Sequence, residues 1–147
     1  MKMSRLLKNM FAVSGLTLSM LTSVSVLADV AVIVHPSSSL TAMTAEDVSR
    51  IFLGKSNNFP GGAQAIPINQ DDGSASRVKF NETVCKKNAS QYKAYWSQLM
   101  FTGKGTPPKD AGTDAAVKAL IAANPNMIGY VDASAVDASV KVVLKVQ

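Results

Sequence analysis

Short apolar segments alternate with longer segments of helical periodicity along most of this 147-residue chain. The apolar segments span residues 29–34, 65–69, 127–131 and 139–146, and turn-forming residues bound them, as is typical of buried strands. Four helix-type segments lie among them, which gives the order β-α-β-α-α-α-β-β. Strands separated by helices predict an α/β fold with a mixed, mainly parallel sheet flanked by helices.

Capping residues mark where the predicted helices begin and end. A hydroxyl or amide side chain stands at the expected starts Thr44, Asn88 and Thr113, where it accepts a hydrogen bond from the first turn. Gly54 is expected to end the first helix because glycine readily adopts the left-handed conformation needed there. Residues 103–112, GKGTPPKDAG, are predicted to form a long exposed loop because prolines and glycines oppose regular structure.

An aromatic stripe at helical spacing consists of Tyr92, Tyr95, Trp96 and Leu99. Such a stripe is more typical of a core-facing surface than of a ligand platform. In the preceding helical segment, Val78, Phe80 and Val84 are the candidates for burial. Cys85, at an apolar position of the same segment, is expected to be a small buried hydrophobe rather than a reactive thiol.

Residues 1–28 have the features of an export signal. Three basic residues precede a long uncharged run, and Val26-Leu27-Ala28 fits the small-residue rule for a cleavage site. The alternative is an uncleaved membrane anchor, but polar residues and glycine repeatedly interrupt the apolar run, which is poor for a spanning helix. We therefore expect cleavage after Ala28, a periplasmic location and one domain over residues 29–147.

The charge balance argues against a nucleic-acid partner. The chain has 15 basic and 10 acidic residues, but removing three basic residues with the first 28 leaves a net charge of +2. No basic stripe is interleaved with aromatic residues. The single histidine, His35, and the single cysteine give no metal-ligand spacing, and no GxSxG nucleophile motif occurs. We expect no metal, no cofactor and no catalytic residue, and hence no enzyme.

Residues 68–80, INQDDGSASRVKF, are the part of the sequence that points to a binding site. They combine a strand, a short turn and a helix expected to begin near Ser74. Ligands of α/β folds bind where a strand ends and the next helix begins. The unpaired N–H groups and the dipole of the helix favour an anion at that point.

The predicted anion site uses both backbone and side-chain donors. The expected donors are the N–H groups of Ala75 and Ser76 and the hydroxyls of Ser74 and Ser76. Gly73 lets the backbone approach the ligand closely. Gln70 and Arg77 are expected as flanking donors.

A helix that is capped and binds nothing is the alternative explanation of the same residues. Asp72 or Ser74 would then cap the helix, and the other polar groups would be solvated. Residue types alone do not separate the two hypotheses. Asp71 and Asp72 oppose a fully ionised anion, unless the anion keeps a proton that one carboxylate accepts.

Three motifs resemble, in the same order and spacing, the phosphate-binding proteins of ABC importers, the PstS-like family. They are LTAMTAEDVSRIFLGKSNNFPGG, AIPINQDDGSASRVKF and NPNMIGYVDAS. The family counterparts are a helix followed by IF.GK, a GSGT helix start and an NPxxIGYV strand. The resemblance covers nearly all of residues 29–147, and the YW…FTGxGxPP pattern over residues 95–108 is similar to the short, stand-alone members. It implies a single lobe of a type 2 periplasmic-binding-protein-like fold.

The chain departs from the family pattern at the anion motif. Ser74-Ala75-Ser76 replaces SGT, and Gln70 stands where the family usually has arginine, so a neutral amide replaces a charged fork. Phe59 stands where tryptophan is frequent. Most of the lobe that supplies the opposite wall of the cleft in full-length relatives is missing, so the resemblance implies weak phosphate binding.

Two functions remain open on these residues. The first is a periplasmic module that binds phosphate or a similar oxyanion, with an ABC permease, another periplasmic protein or a second copy of the chain (a homodimer) as further partners. Ser74, Ser76 and Arg77 favour it. The second is a non-catalytic sensory or interaction domain that has lost strong ligand binding and meets a partner through its GKGTPPK loop or its exposed cleft face. Gln70 and the missing lobe favour this second function.

Overall fold

Five strands and four helices make up the described part of the chain. The computed structural model describes residues 29–147, and the predicted export signal lies outside them. The strands are β1 (Val30–Val34), β2 (Ile66–Asn69), β3 (Lys109–Asp110), β4 (Met127–Asp132) and β5 (Lys141–Val146). The helices are α1 (Ala45–Phe52), α2 (Ala75–Thr83), α3 (Ala89–Phe101) and α4 (Asp114–Ala123), and a short 3-10 turn, Ala133–Ala135, follows β4.

The strands form one mixed sheet in the order β3-β2-β4-β1-β5. Strand β2 pairs in parallel with β3 and β4, whereas β1 pairs antiparallel with β4 and β5. Four strands therefore run in one direction and only β1 opposes them. The predicted α/β fold with a mixed sheet is confirmed. The parallel pairing is confined to the β3-β2-β4 half, because the opposed β1 lies between β4 and β5.

Helices cover both faces of the sheet, and β1 shows how the sequence produces this. Its side chains alternate in direction, so Val30, Val32 and Val34 join the core beneath α1, α2 and α3, while Ala31 and Ile33 face α4. Every residue of β1 is buried. A central strand with two buried faces explains why this segment is continuously apolar rather than alternating.

The predicted caps form as expected. Asn88 and Gln91 make a complete capping box, and Thr44 and Thr113 each accept a hydrogen bond from the backbone N–H three residues later. Gly54 follows the end of α1 with φ +70°. A Cβ atom on Gly54 would also lie 2.9 Å from Cη2 of Trp96, so close packing adds a second requirement for glycine.

The long loop predicted over residues 103–112 is interrupted by a strand that sequence patterns did not reveal. Lys109–Asp110 form β3, which pairs with Ile68 and Asn69. The prolines at 107 and 108 precede this edge strand, where a missing N–H donor is tolerated. A two-residue strand has no periodicity of its own, so only its position beside β2 defines it. None of the helices within residues 29–147 is long and apolar enough to cross a membrane.

The aromatic stripe of α3 packs into the core, as predicted. Tyr92 and Trp96 are buried, and Tyr95 and Leu99 pack against the same cluster. In α2, Phe80 and Val84 are buried, whereas Val78 is 43 % exposed and is not a core residue.

Cys85 is expected to react slowly with thiol reagents, because burial raises the pKa of its thiol to about 12. At pH 8 this shift lowers the thiolate population by about 1000-fold relative to an ordinary cysteine. A DTNB assay should show slow labelling of the native protein and rapid labelling in denaturant. Native protein that is labelled as fast as unfolded protein would show that the thiol is not buried.

Candidate anion-binding site

A tight turn connects β2 to α2 and positions the predicted site. The N–H of Asp71 donates to the carbonyl of Gly112 at 3.0 Å, which ties the end of β2 to the segment after β3. The N–H of Ser74 then donates to the carbonyl of Asp71 at 3.1 Å, and Gly73 adopts φ +91°. Because residues other than glycine rarely adopt this backbone conformation, glycine is suited to position 73, where the chain reverses direction.

Ser74 is the N-cap of α2, so the predicted helix start is confirmed. Its Oγ accepts a hydrogen bond from the N–H of Arg77 at 3.3 Å. The same hydroxyl donates to Oε1 of Gln70 at 2.6 Å. In this arrangement the Ser74 hydroxyl supports the helix and the neighbouring side chain, and its proton does not point to a ligand.

Ala75 and Ser76 provide the unpaired donors of the site. Their backbone N–H groups belong to the first turn of α2, which has no carbonyl before it to accept them. Neither group, nor the hydroxyl of Ser76, makes a hydrogen bond within residues 29–147. Ser76 is only 6 % exposed, whereas Ala75 is exposed, so the Ser76 donors are recessed and the Ala75 N–H lies at the surface beside them.

Gln70 lies beneath the helix start and its side chain is already engaged. It is 3 % exposed, and its Nε2 donates to Oδ1 of Asp114 at 2.5 Å and to the carbonyl of Tyr130 at 2.9 Å. Because its Oε1 accepts the Ser74 hydroxyl, every polar atom of the amide has a partner. Gln70 therefore connects the starts of α2 and α4 instead of presenting a free donor.

Arg77 points away from the helix start, towards α3 and β3. Its Nη1 donates to the carbonyl of Gln70 at 2.7 Å and to Oδ1 of Asp110 at 2.8 Å. The guanidinium carbon lies 5.6 Å from the centre of the Tyr92 ring, a distance compatible with a cation–π contact. For Arg77 to flank an anion at the start of α2, these contacts have to break.

A buried polar network extends below the site. Asn69 Nδ2 donates to the hydroxyl of Tyr92 at 2.8 Å, and the hydroxyl of Tyr130 donates to Asn69 Oδ1 at 2.9 Å. The N–H of Gln70 donates to the same Tyr130 oxygen at 3.3 Å. Burial raises the pKa of both tyrosines, so their hydroxyls stay protonated at neutral pH and keep the network intact.

Three residues at the site were not identified from the sequence: Asp110, Asp114 and Tyr130. Asp114 accepts both the Gln70 amide and the N–H of Asp132 at 3.1 Å, so it joins α4 to the end of β4. The one signal available from the sequence was the predicted mainly parallel sheet, in which the carboxyl ends of parallel strands meet at one edge. No group of three or more potential metal-ligating side chains is found among the described residues.

The arrangement suits an anion that keeps a proton. Two backbone N–H groups, the Ser76 hydroxyl and the dipole of α2 attract negative charge. The carboxylates of Asp71 and Asp72 belong to the turn before α2, and that of Asp114 accepts a hydrogen bond from Gln70. All three disfavour a fully ionised ligand. A singly protonated oxyanion satisfies both conditions, because one of its oxygens can donate to a carboxylate.

Comparisons with solved structures relate this fold to phosphate-binding proteins. A protein assigned as a phosphate ABC transporter substrate-binding protein from Clostridium perfringens, solved with bound phosphate, is 27 % identical with a TM-score of 0.64, and the match covers 80 % of this chain. An ABC-type phosphate transport receptor from Vibrio cholerae is 18 % identical, with a TM-score of 0.62 over 80 % of this chain. PstS from Borrelia burgdorferi is 17 % identical, with a TM-score of 0.57 over 79 % of this chain. The latter two show the fold alone.

The matches cover only part of each neighbour. They span 45 % of the Clostridium chain, 46 % of the Vibrio chain and 47 % of the Borrelia chain. No protein-family model and no curated protein matches the sequence. The structural neighbours of this chain are thus PstS-like phosphate ABC transporter substrate-binding proteins, and the chain spans less than half of their length.

Proposed function

We propose that residues 29–147 form a periplasmic module that binds phosphate or a similar oxyanion at the start of α2, without catalysing a reaction. The observation that carries the proposal is the set of unpaired donors at one helix start, namely the N–H groups of Ala75 and Ser76 and the hydroxyl of the buried Ser76. They lie directly after a strand and at the positive end of a nine-residue helix. The phosphate bound to the Clostridium protein supports the choice of anion.

Binding is expected to be weak in the isolated domain. Gln70 supplies a neutral amide that is already hydrogen-bonded, and Arg77 is paired with Asp110. The start of α2 adjoins the exposed residues Asp71, Asp72 and Gly73, so solvent screens the anion on its open side. A second surface would close the site, and the proposed candidates are an ABC permease, another periplasmic protein or a second copy of this chain. Light scattering with and without phosphate tests the homodimer directly.

Replacing both Ser74 and Ser76 with alanine is expected to weaken phosphate binding by about 0.5–1.5 kcal/mol, the contribution of one hydrogen bond, because only the Ser76 hydroxyl is free to donate to a ligand while that of Ser74 donates to Gln70. Gln70→Arg is expected to strengthen binding, because a charged fork replaces a neutral amide and Asp114 is in place to orient it. Titration calorimetry with phosphate and sulfate measures both effects. Ser90→Ala, an exposed position in the first turn of α3, is the matched control and should leave binding unchanged.

A capping role alone for Ser74 makes a different prediction for the same variants. Ser74→Ala then lowers the free energy of unfolding by about 1 kcal/mol, as expected for loss of an N-cap. Phosphate binding would be absent in every variant, including Gln70→Arg. That combination of results would refute the binding proposal.

A non-catalytic interaction domain is the second candidate function. The observation that favours it is that Gln70 and Arg77 direct their donors into the protein, where they stabilise contacts with Asp114 and Asp110. In a domain that no longer binds a ligand, side chains such as Gln70 and Arg77 are available for contacts within the protein. Under this hypothesis Gln70→Arg restores no phosphate binding.

A further inference from the structure

A cavity that we call the α3 cleft lies between α3 and the segment around β3. Its volume is about 310 Å³, and Asn69, Arg77, Tyr92, Trp96, Met100 and Pro108 line it. Small-molecule sites in proteins begin at about 300 Å³ and are mostly apolar with a few polar groups. At about 30 Å³ for each water-sized group, the α3 cleft accommodates roughly ten non-hydrogen atoms.

Arg77 presents unused donors to the α3 cleft. Its Nη1 makes both of the hydrogen bonds that hold the side chain, to Gln70 and to Asp110. Arginine has five N–H groups, so the three on Nε and Nη2 have no acceptor within the described residues. Among the described residues, two side-chain atoms are fully buried and lack a hydrogen-bond partner, Asn81 Oδ1 and Trp96 Nε1. Nε and Nη2 of Arg77 also lack a partner but are not in this set, so both atoms are in contact with solvent.

The guanidinium of Arg77 is also preorganised. The side chain is 12 % exposed, and its guanidinium is held by Asp110 and the Gln70 carbonyl and lies over the Tyr92 ring. The free Nε and Nη2 edge has the geometry that binds a carboxylate through two parallel hydrogen bonds. A fixed donor pair loses little conformational entropy on binding, which favours an anionic ligand.

Charge and apolar surface around the α3 cleft point to the same type of ligand. Three cationic side chains, Arg77, Lys93 and Lys109, and one acidic side chain, Asp110, line the cleft. Arg77 pairs with Asp110 and Lys93 pairs with Asp72 at 3.6 Å, so Lys109 is the lining cation without an ion pair among the described residues. The walls near Trp96 and Met100 are apolar, and inorganic phosphate has no group to pack against them.

We propose that the α3 cleft binds a small organic carboxylate, whose acid group pairs with Nε and Nη2 of Arg77 and whose apolar body packs against Trp96 and Met100. The proposal does not depend on anion binding at the start of α2. Phenylacetate is a suitable probe, since it joins one carboxylate to one ring and has a size that fits the cleft.

Trp96 is the single tryptophan of the chain, so its fluorescence reports on the α3 cleft directly. Titration with phenylacetate should give a saturable change with a Kd on the order of 1 mM, as expected for a ligand of this size. Phenylacetamide, which has the same ring but no charge, should bind at least about tenfold more weakly. Inorganic phosphate should not compete with phenylacetate.

Variants keep the proposal testable even if one of them fails to fold. Arg77→Lys retains the charge but loses the fork, and Met100→Glu adds a negative charge to the half-exposed wall; each should weaken phenylacetate binding at least about tenfold. Lys145→Gln on β5 changes the net charge by the same amount as Met100→Glu and should bind normally. Ser76→Ala should also bind normally, which separates this site from the α2 site. The proposal would be overturned if phenylacetamide bound as tightly as phenylacetate, if Met100→Glu bound phenylacetate as tightly as the unchanged protein, or if phenylacetate gave no saturable change in fluorescence.

Discussion

Phe80→Ala is expected to lower the free energy of unfolding by about 3–5 kcal/mol, the range for removing a buried phenylalanine. The ring is fully buried, stacks on Tyr130 with centroids 4.1 Å apart and meets Phe52 edge-on at 4.7 Å. Truncation removes apolar burial and both aromatic contacts, and the surrounding strands cannot collapse into the space. Urea denaturation followed by circular dichroism measures the loss.

The chain contains a matched control for this change. Phe101, at the end of α3, is 94 % exposed, so Phe101→Ala deletes the same atoms without creating a cavity. We expect its effect to stay within about 0.5 kcal/mol. Similar losses for the two variants would mean that Phe80 is not a core residue.

Asn69→Leu is expected to destabilise the domain by about 2–4 kcal/mol, although leucine has a similar size. Tyr92 and Tyr130 each lose a hydrogen-bond partner in a buried position, and an unsatisfied buried polar group costs roughly 1–3 kcal/mol. The same replacement at the exposed Asn57 is the control and should have little effect. Urea denaturation compares the two variants.

A double substitution tests whether the network, rather than packing, causes the loss. Adding Tyr92→Phe to Asn69→Leu removes one of the stranded hydroxyls, so it should recover about 1 kcal/mol relative to Asn69→Leu alone. Strict additivity of the two single changes would show that Asn69 and Tyr92 are energetically independent. The hydrogen bonds observed between them would then contribute nothing to stability.

Local patterns in the sequence predicted the elements of this fold well. The capping box of Asn88 and Gln91, the Ser74 cap and the left-handed Gly54 all depend on residues within four positions of one another. The continuous apolar character of β1 likewise indicated a strand buried on both faces. These features are predictable because a cap or a periodicity acts through neighbouring backbone groups.

The partners of the site side chains depend on contacts between distant segments. Gln70 meets Asp114 across 44 positions, and Arg77 meets Asp110 across 33. β3 exists because β2 lies beside it, since its two residues follow a Pro-Pro pair that by itself predicts a loop. From residue types alone, Gln70 and Arg77 are equally suited to an anion at the start of α2 and to neighbouring acidic side chains. Packing of α4 and β3 against the carboxyl end of β2 selects the acidic partners, because it places Asp114 and Asp110 within hydrogen-bond distance.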